Sequence, residues 1–325
     1  MSDVGVILAQ LGTPDAPKTP ALRRYLAQFL SDPRVVDLPR WKWWPILHGI
    51  ILRTRPKRSA ALYRRIWRED GISPLLHHTR VLTDHLQQAL GDEIPVRLGM
   101  RYGQPALDHA VDELRALGVS KLLLFPLFPQ YSGATNASMV DALYQAIHAK
   151  RHLPALRVAP SFHNHPGYIA SLAHRIRQSA DPDANQERLY LFSFHGLPQR
   201  HVDQGDPYEA QCHVTAQKLA EALNLPKSRW RIAFQSRFGK EPWLLPATDQ
   251  MLAELPNKGH KEVVLACPGF VSDCLETLEE IAIGGKKIFL EAGGTQFIYT
   301  RCINDDAAWR EALVQLVKRE LMGWC

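Results

Sequence analysis

The chain has 325 residues, 46% apolar and 22% charged, which suits a full hydrophobic core and excludes a disordered chain. Its length predicts about two domains, and its longest near-continuous apolar run, Trp43–Leu52, is interrupted by His48 and too short to span a bilayer. The net charge of +6 invites a nucleic-acid reading, but it is local: between Arg34 and Arg68 ten Lys/Arg stand against Asp37 alone, so that segment carries +9 and the rest of the chain −3. No nucleic-acid partner is expected. The opening MSDVGVILAQLGTP lacks a basic stretch and a small-residue cleavage site, so a cytoplasmic protein is expected rather than a secreted one. Five cysteines without a CxxC pair fit reduced thiols.

In chain order, predicted strands are Val4–Leu11, Val96–Met100, Lys121–Phe128, Leu156–Ala159, Leu189–Phe194, Arg231–Gln235, Glu262–Ala266 and Lys287–Leu290. Helical patterns lie between most of them, such as Leu107–Leu117 and Leu219–Leu223, and a last helix is expected at about Ala307–Met322. Continuous apolar strands such as LLLF and VVLA belong in a parallel sheet covered on both faces. The alternation implies an open α/β fold of two four-stranded halves, residues 1–155 and 156–325, parted at the turn-rich APSFHNHPGY.

In such sheets ligands bind beyond the carboxyl ends of strands. No GxGxxG follows a strand and no GxxxxGK[ST] occurs, which disfavours dinucleotide and P-loop enzymes. His195 directly follows the strand LYLFSF and precedes Gly196. It reads as a general base or metal ligand, or more plainly as one loop histidine among fourteen. Asp273, Glu276 and Glu280 stand at i, i+3 and i+7. On a helix they form a carboxylate row for a cation or for protons, although Asp273-x-x-Glu276 also has the form of a helix cap. One imidazole and one carboxylate suit ferrous iron, and equally zinc, cobalt or nickel. His163 and His165 read as a solvated turn rather than a metal-ligand pair, and His77, His78 and His85 lie on a probable helix with no nearby acid but Asp84. WKWWPILHGIIL followed by RTRPKRSAALYRRIWR suits an anionic membrane surface, a flat acidic apolar ligand or stacked nucleotides, or else a solvated helical face.

Several strand-end blocks carry more than composition. LGTPDAP, ISPL at 72–75, RYGQP at 101–105, PQYSGATNAS at 129–138, FSFHGLPQRHVDQGDPYEAQC at 192–212, FQSRFGKEPWLLPAT at 234–248 and PGFVSDCLETLEEI at 268–281 resemble the ferrochelatases of bacteria that make protoheme, in order and over nearly the whole chain.

The resemblance implies two similar Rossmann-like domains of chelatase type, each a four-stranded parallel sheet flanked by helices, with a porphyrin cleft between them. It implies insertion of Fe²⁺ into protoporphyrin IX to give heme and two protons. It places the metal-site histidine on His195 and its partner carboxylate on Glu276, with Asp273 and Glu280 as a proton or metal relay. Porphyrin contacts fall on Ser73, Arg101, Tyr102, Tyr131, Ser132 and Trp243, and the lid on about residues 34–68, where peripheral contact with an anionic membrane is also expected. No cofactor is required, since Fe²⁺ is a substrate. The chain departs from the family in reading DGISPL for GGSPL and RCIN where Pro usually precedes the Cys. A [2Fe–2S] cluster is not expected, because no cysteine group precedes Cys325, and Leu11 in place of Tyr favours protoporphyrin over coproporphyrin. The competing readings are a cobalt or nickel tetrapyrrole chelatase and a non-catalytic cytosolic heme or metal carrier.

Overall fold

A computed structural model of the chain describes residues 3–185, 187–239 and 241–324. Its strands are β1 (Val4–Thr13), β2 (Val96–Gly103), β3 (Lys121–Pro126), β4 (Ala155–Val158), β5 (Leu189–His195), β6 (Trp230–Gln235), β7 (Glu262–Ala266) and β8 (Gln296–Tyr299). They form two parallel sheets of the same topology, β2-β1-β3-β4 and β6-β5-β7-β8. The central strands are the most apolar because both of their faces are covered: Val6–Ala9 in β1 and Tyr190–Phe192 in β5 are fully buried.

The first unit runs to Leu127, takes in Gly133–Pro160 and resumes at Arg310; the second comprises Phe128–Ser132 and Ser161–Trp309. The single boundary expected at 155/156 thus differs from the observed division. The last helix, Ala307–Leu321, belongs from Arg310 onward to the first unit rather than closing the second. There Arg157 of β4 donates to the main-chain carbonyls of Glu320 and Met322, and its guanidinium lies 4.3 Å from the centre of the Trp324 ring.

Seven predicted strands lie on observed ones; the eighth does not. Lys287–Leu290 is helical, within Lys286–Glu291, and the edge strand is Gln296–Tyr299. The apolar run KIFL fits a strand pattern, but it continues a preceding helix and buries Phe289 in the core of the second unit. Gly293 and Gly294 then reverse the chain. Only glycine fits at 294, where a Cβ would stand 2.2 Å from the Phe289 ring.

The basic aromatic segment is three successive helical pieces, Arg40–Ile46, Leu47–Ile51 and Leu52–Ile66. Pro45 lacks an N–H, and the turn after it widens to i→i+5 bonding. Trp43, Leu47 and Leu52 bury against Leu30, and the Trp43 indole N–H donates to the Leu30 carbonyl at 2.6 Å. The other two tryptophans face outward: Trp41 is 74% and Trp44 44% exposed, against 8% for Trp43. No helix among the described residues is long and apolar enough to cross a membrane.

Candidate active site

In the second sheet the chain leaves β5 first for β6 on one side and then for β7 on the other. The crevice between the carboxyl ends of β5 and β7 is therefore the topological switch point, where open α/β sheets bind ligands. His195 is the last residue of β5, and the loop after β7 leads to Glu276.

The His195 ring is half-buried, and its Nδ1 lies 2.6 Å from the Gly196 carbonyl oxygen. A carbonyl only accepts, so Nδ1 carries the proton and a neutral ring keeps its lone pair on Nε2. Gly196 is required by close approach: a Cβ there would stand 2.8 Å from the Gln235 carbonyl oxygen and 3.2 Å from the Trp243 ring.

Glu276 opens a ten-residue stretch, Glu276–Gly285, bonded i→i+5. Such wide turns are uncommon and concentrate at functional sites. Residues four apart stay near one line of this helix, so Glu276 and Glu280 share a side. Glu280 is held at both oxygens, by the Ser236 main-chain N–H at 2.7 Å and its hydroxyl at 2.6 Å. Burial pushes the Glu280 carboxyl above its usual range; the Ser236 hydroxyl and the nearby His195 oppose that rise, and Glu276 adds to it.

Asp273 does not share that side. It is buried before the helix begins, with Oδ1 accepting from the Tyr299 hydroxyl (2.6 Å) and the Thr277 hydroxyl (3.0 Å), and Oδ2 accepting from Asn304 (2.8 Å). Its own N–H donates back to the Asn304 side chain. The helix start carries no side-chain cap, and the Asp273 N–H goes to Asn304 while the Thr277 hydroxyl accepts the Cys274 N–H, so Asp273 and Glu276 do not form a capping box.

Trp243 lines a cavity of about 760 Å³ in the second unit, together with Ser236, Arg237, Asp249, Glu280 and Ile281. Its indole N–H is shielded from water and has no acceptor among the described residues. Tyr131 is exposed, and its N–H donates to Gln211. Ser132 is buried, and its hydroxyl donates to Asp206.

The remaining three expected contacts belong to the first unit. Ser73 caps the helix Pro74–Leu90, accepting from the Leu76 N–H at 3.2 Å. Arg101 pairs with Asp32 and donates through Nε to Ser138 at 2.7 Å. The Tyr102 and Ser138 hydroxyls donate to the same Asp32 oxygen at 2.7 and 2.6 Å. Burial works against the Asp32 charge, but these donors, the Arg34 N–H and Arg101 outweigh it and hold the carboxyl below its usual range. Burial also raises the Tyr102 hydroxyl pKa.

Sequence reasoning passed over Asp32, Gln235 and Ser236. The last two stand where β6 ends, so the strand-end rule that selected His195 would have found them.

A ferrochelatase family model matches residues 3–321. The ferrochelatase of Nitrosococcus oceani is 51% identical over 324 residues, covering 99% of this chain and 88% of that protein. Ferrochelatase 1 of Shewanella oneidensis is 47% identical, covering 98% of this chain and 96% of that protein. Among solved structures, the cobalt complex of the sirohydrochlorin chelatase SirB from Bacillus subtilis subspecies spizizenii matches at a TM-score of 0.58 and 7% identity, over 98% of this chain and 95% of its own. CbiX, the terminal enzyme of siroheme biosynthesis in denitrifying bacteria, matches at 0.55 and 15%, over 97% and 98%. At those identities the likeness is one of fold. The half-identical sequences matched along almost their entire length go further: this chain belongs to the ferrochelatase family.

Proposed function

We propose that the protein is a protoporphyrin ferrochelatase: it inserts Fe²⁺ into protoporphyrin IX and releases heme and two protons, the last step of heme synthesis. The observation that carries this reading is an imidazole whose lone pair is on Nε2 at a strand-end crevice, beside a helix that presents two carboxylates on one side.

Metalation has to strip water from Fe²⁺ and remove two pyrrole protons. Bending the macrocycle exposes nitrogen lone pairs that a planar ring holds in its plane, at a strain of about 1–5 kcal/mol supplied by binding elsewhere. His195 Nε2 accepts a pyrrole proton or ligates the incoming iron; Nδ1 on the Gly196 carbonyl keeps the ring in the tautomer that either role needs. Glu276 is the partner carboxylate. Glu280, raised toward its neutral form by burial, is suited to pass a proton onward. Asp273 acts at one remove, because its oxygens are occupied by groups that shape the approach to Glu276. Among the described residues no three His, Cys, Asp or Glu side chains gather as a cage for a metal.

Of the proposed porphyrin contacts, Trp243 and Tyr131 have accessible surface for a flat apolar ring, and Arg101 has N–H groups beyond those on Asp32 and Ser138 for a propionate. Ser73, Tyr102 and Ser132 are already bonded and contribute mainly shape. The outward Trp41, Trp44, Ile46 and Ile50, set among arginines and lysines, suit peripheral contact with an anionic bilayer from the cytoplasmic side.

The test is anaerobic metalation. Purified protein with Fe²⁺ and protoporphyrin IX converts the free-base spectrum to that of heme. No conversion, or conversion with Co²⁺ or Ni²⁺ but not Fe²⁺, overturns the reading.

A further inference from the structure

Gln235 joins the two halves of the metal site. It is the last residue of β6, sits opposite His195 in the sheet register and is 2% exposed. Its main-chain carbonyl accepts the Gly196 N–H at 2.8 Å, on the residue whose own carbonyl orients the His195 ring. Its side-chain Nε2 donates at 2.9 Å to the main-chain carbonyl of Glu276. Its Oε1 accepts from the Ser193 hydroxyl at 2.8 Å and faces the buried Cys267 thiol at 3.6 Å.

The surroundings make the amide conspicuous. Leu191, Ala233, Leu252, Leu265 and Ile281 form the core beside it. A buried amide gains little net stability over an apolar side chain that fills the same space. What an apolar residue lacks is direction. The amide fixes where the Glu276 backbone lies relative to the end of β5, although Glu276 reaches that place only after a long connection.

We infer that Gln235 is a positioning residue for metalation: it sets the separation of the His195 imidazole and the Glu276 carboxylate by tying the first turn of the wide helix to the end of β6. The inference rests on the reading of His195 and Glu276 given above. Iron handling depends on that separation, whereas porphyrin binding does not.

The experiment uses two variants, Gln235→Met, which fills the space without hydrogen bonds, and Gln235→Asn, which keeps an amide but is one methylene too short to reach the Glu276 carbonyl. Active sites are counted by porphyrin fluorescence titration, and steady-state constants are measured for Fe²⁺ and protoporphyrin separately. The expected result in either variant is at least a tenfold fall in kcat/KM for Fe²⁺, with the porphyrin dissociation constant within twofold of wild type. Constants for Fe²⁺ within threefold of wild type, or losses shared equally by the two substrates, overturn the inference. Should one variant fail to fold, the other decides. His195→Ala and Glu276→Gln are run in parallel. If they stay active, the metal-site reading fails; if they are inactive while the Gln235 variants are normal, only the positioning role fails.

Discussion

Ser236 grips both oxygens of Glu280, one with its N–H and one with its hydroxyl, from a left-handed backbone conformation with φ of 65°. That conformation is uncommon outside glycine, and strain of this kind gathers at functional sites. Consecutive residues at the end of β6 thus hold two of the three acids of the wide helix, Gln235 by the Glu276 backbone and Ser236 by the Glu280 carboxylate.

The Glu280 environment gives a pH-dependent prediction. A carboxyl raised by folding binds its proton more tightly in the folded state. The resulting stabilisation is complete below the unfolded carboxyl pKa of about 4.3 and is lost as pH rises through the folded value. Glu280→Gln keeps a permanently neutral group whose Oε1 still accepts the Ser236 N–H. The variant is therefore expected to unfold at a higher temperature than wild type at pH 7.5, with the gap closing by pH 4. Thermal unfolding at both pH values checks it, and an equal gap at both would show that the carboxyl is not raised.

Turnover should depend on the β5 end. His195→Ala and Glu276→Gln are each expected to lower kcat by about 100-fold or more, the scale of a lost acid–base group. Porphyrin binding, read by fluorescence quenching, should persist in both. Activity within a few-fold of wild type would remove the residue from the mechanism.

Asp32 anchors the start of the basic segment to Arg101, Tyr102 and Ser138. Asp32→Asn leaves the Arg101 charge without its buried partner, a loss that typically costs about 3–5 kcal/mol. Because folding depresses the Asp32 carboxyl, its contribution is full above the unfolded pKa of about 3.9 and falls away as pH drops through the folded value. Urea unfolding should show a wide gap between wild type and variant at pH 6 that narrows below pH ~4. A variant as stable as wild type at pH 6 would contradict the buried network.

The three neighbouring tryptophans should separate by role. Trp41→Ala/Trp44→Ala removes outward aromatic surface and is expected to abolish flotation with anionic vesicles while leaving the melting temperature nearly unchanged. Trp43→Ala removes a buried anchor and should cost about 3–5 kcal/mol of stability. Equal flotation of the double variant and wild type would exclude this face as a membrane contact.

The sequence was most legible where one residue's environment follows from its neighbours along the chain. Unbroken apolar runs announced seven strands, and the strand-end rule picked out His195. It was least legible where partners are distant. Asp273 looked like part of a carboxylate row by spacing, yet Tyr299 and Asn304 occupy its oxygens. Nothing beside Gln235 reveals that its amide meets Glu276, and nothing beside Arg101 reveals Asp32. The eighth strand was missed because KIFL and QFIY are both short and apolar, and pattern alone does not choose between helix and edge strand.

The return of the chain from Arg310 into the first unit has a consequence for synthesis. Domains made on the ribosome generally fold as units, the N-terminal one first. Here the N-terminal unit lacks its final helix, and β4 lacks the carbonyls that Arg157 binds, until Glu320 and Met322 have been made. The second unit has all of its residues earlier, once Trp309 has emerged. The half that begins first is completed after the second, and loss of the residues from Arg310 onward damages the first unit rather than the second.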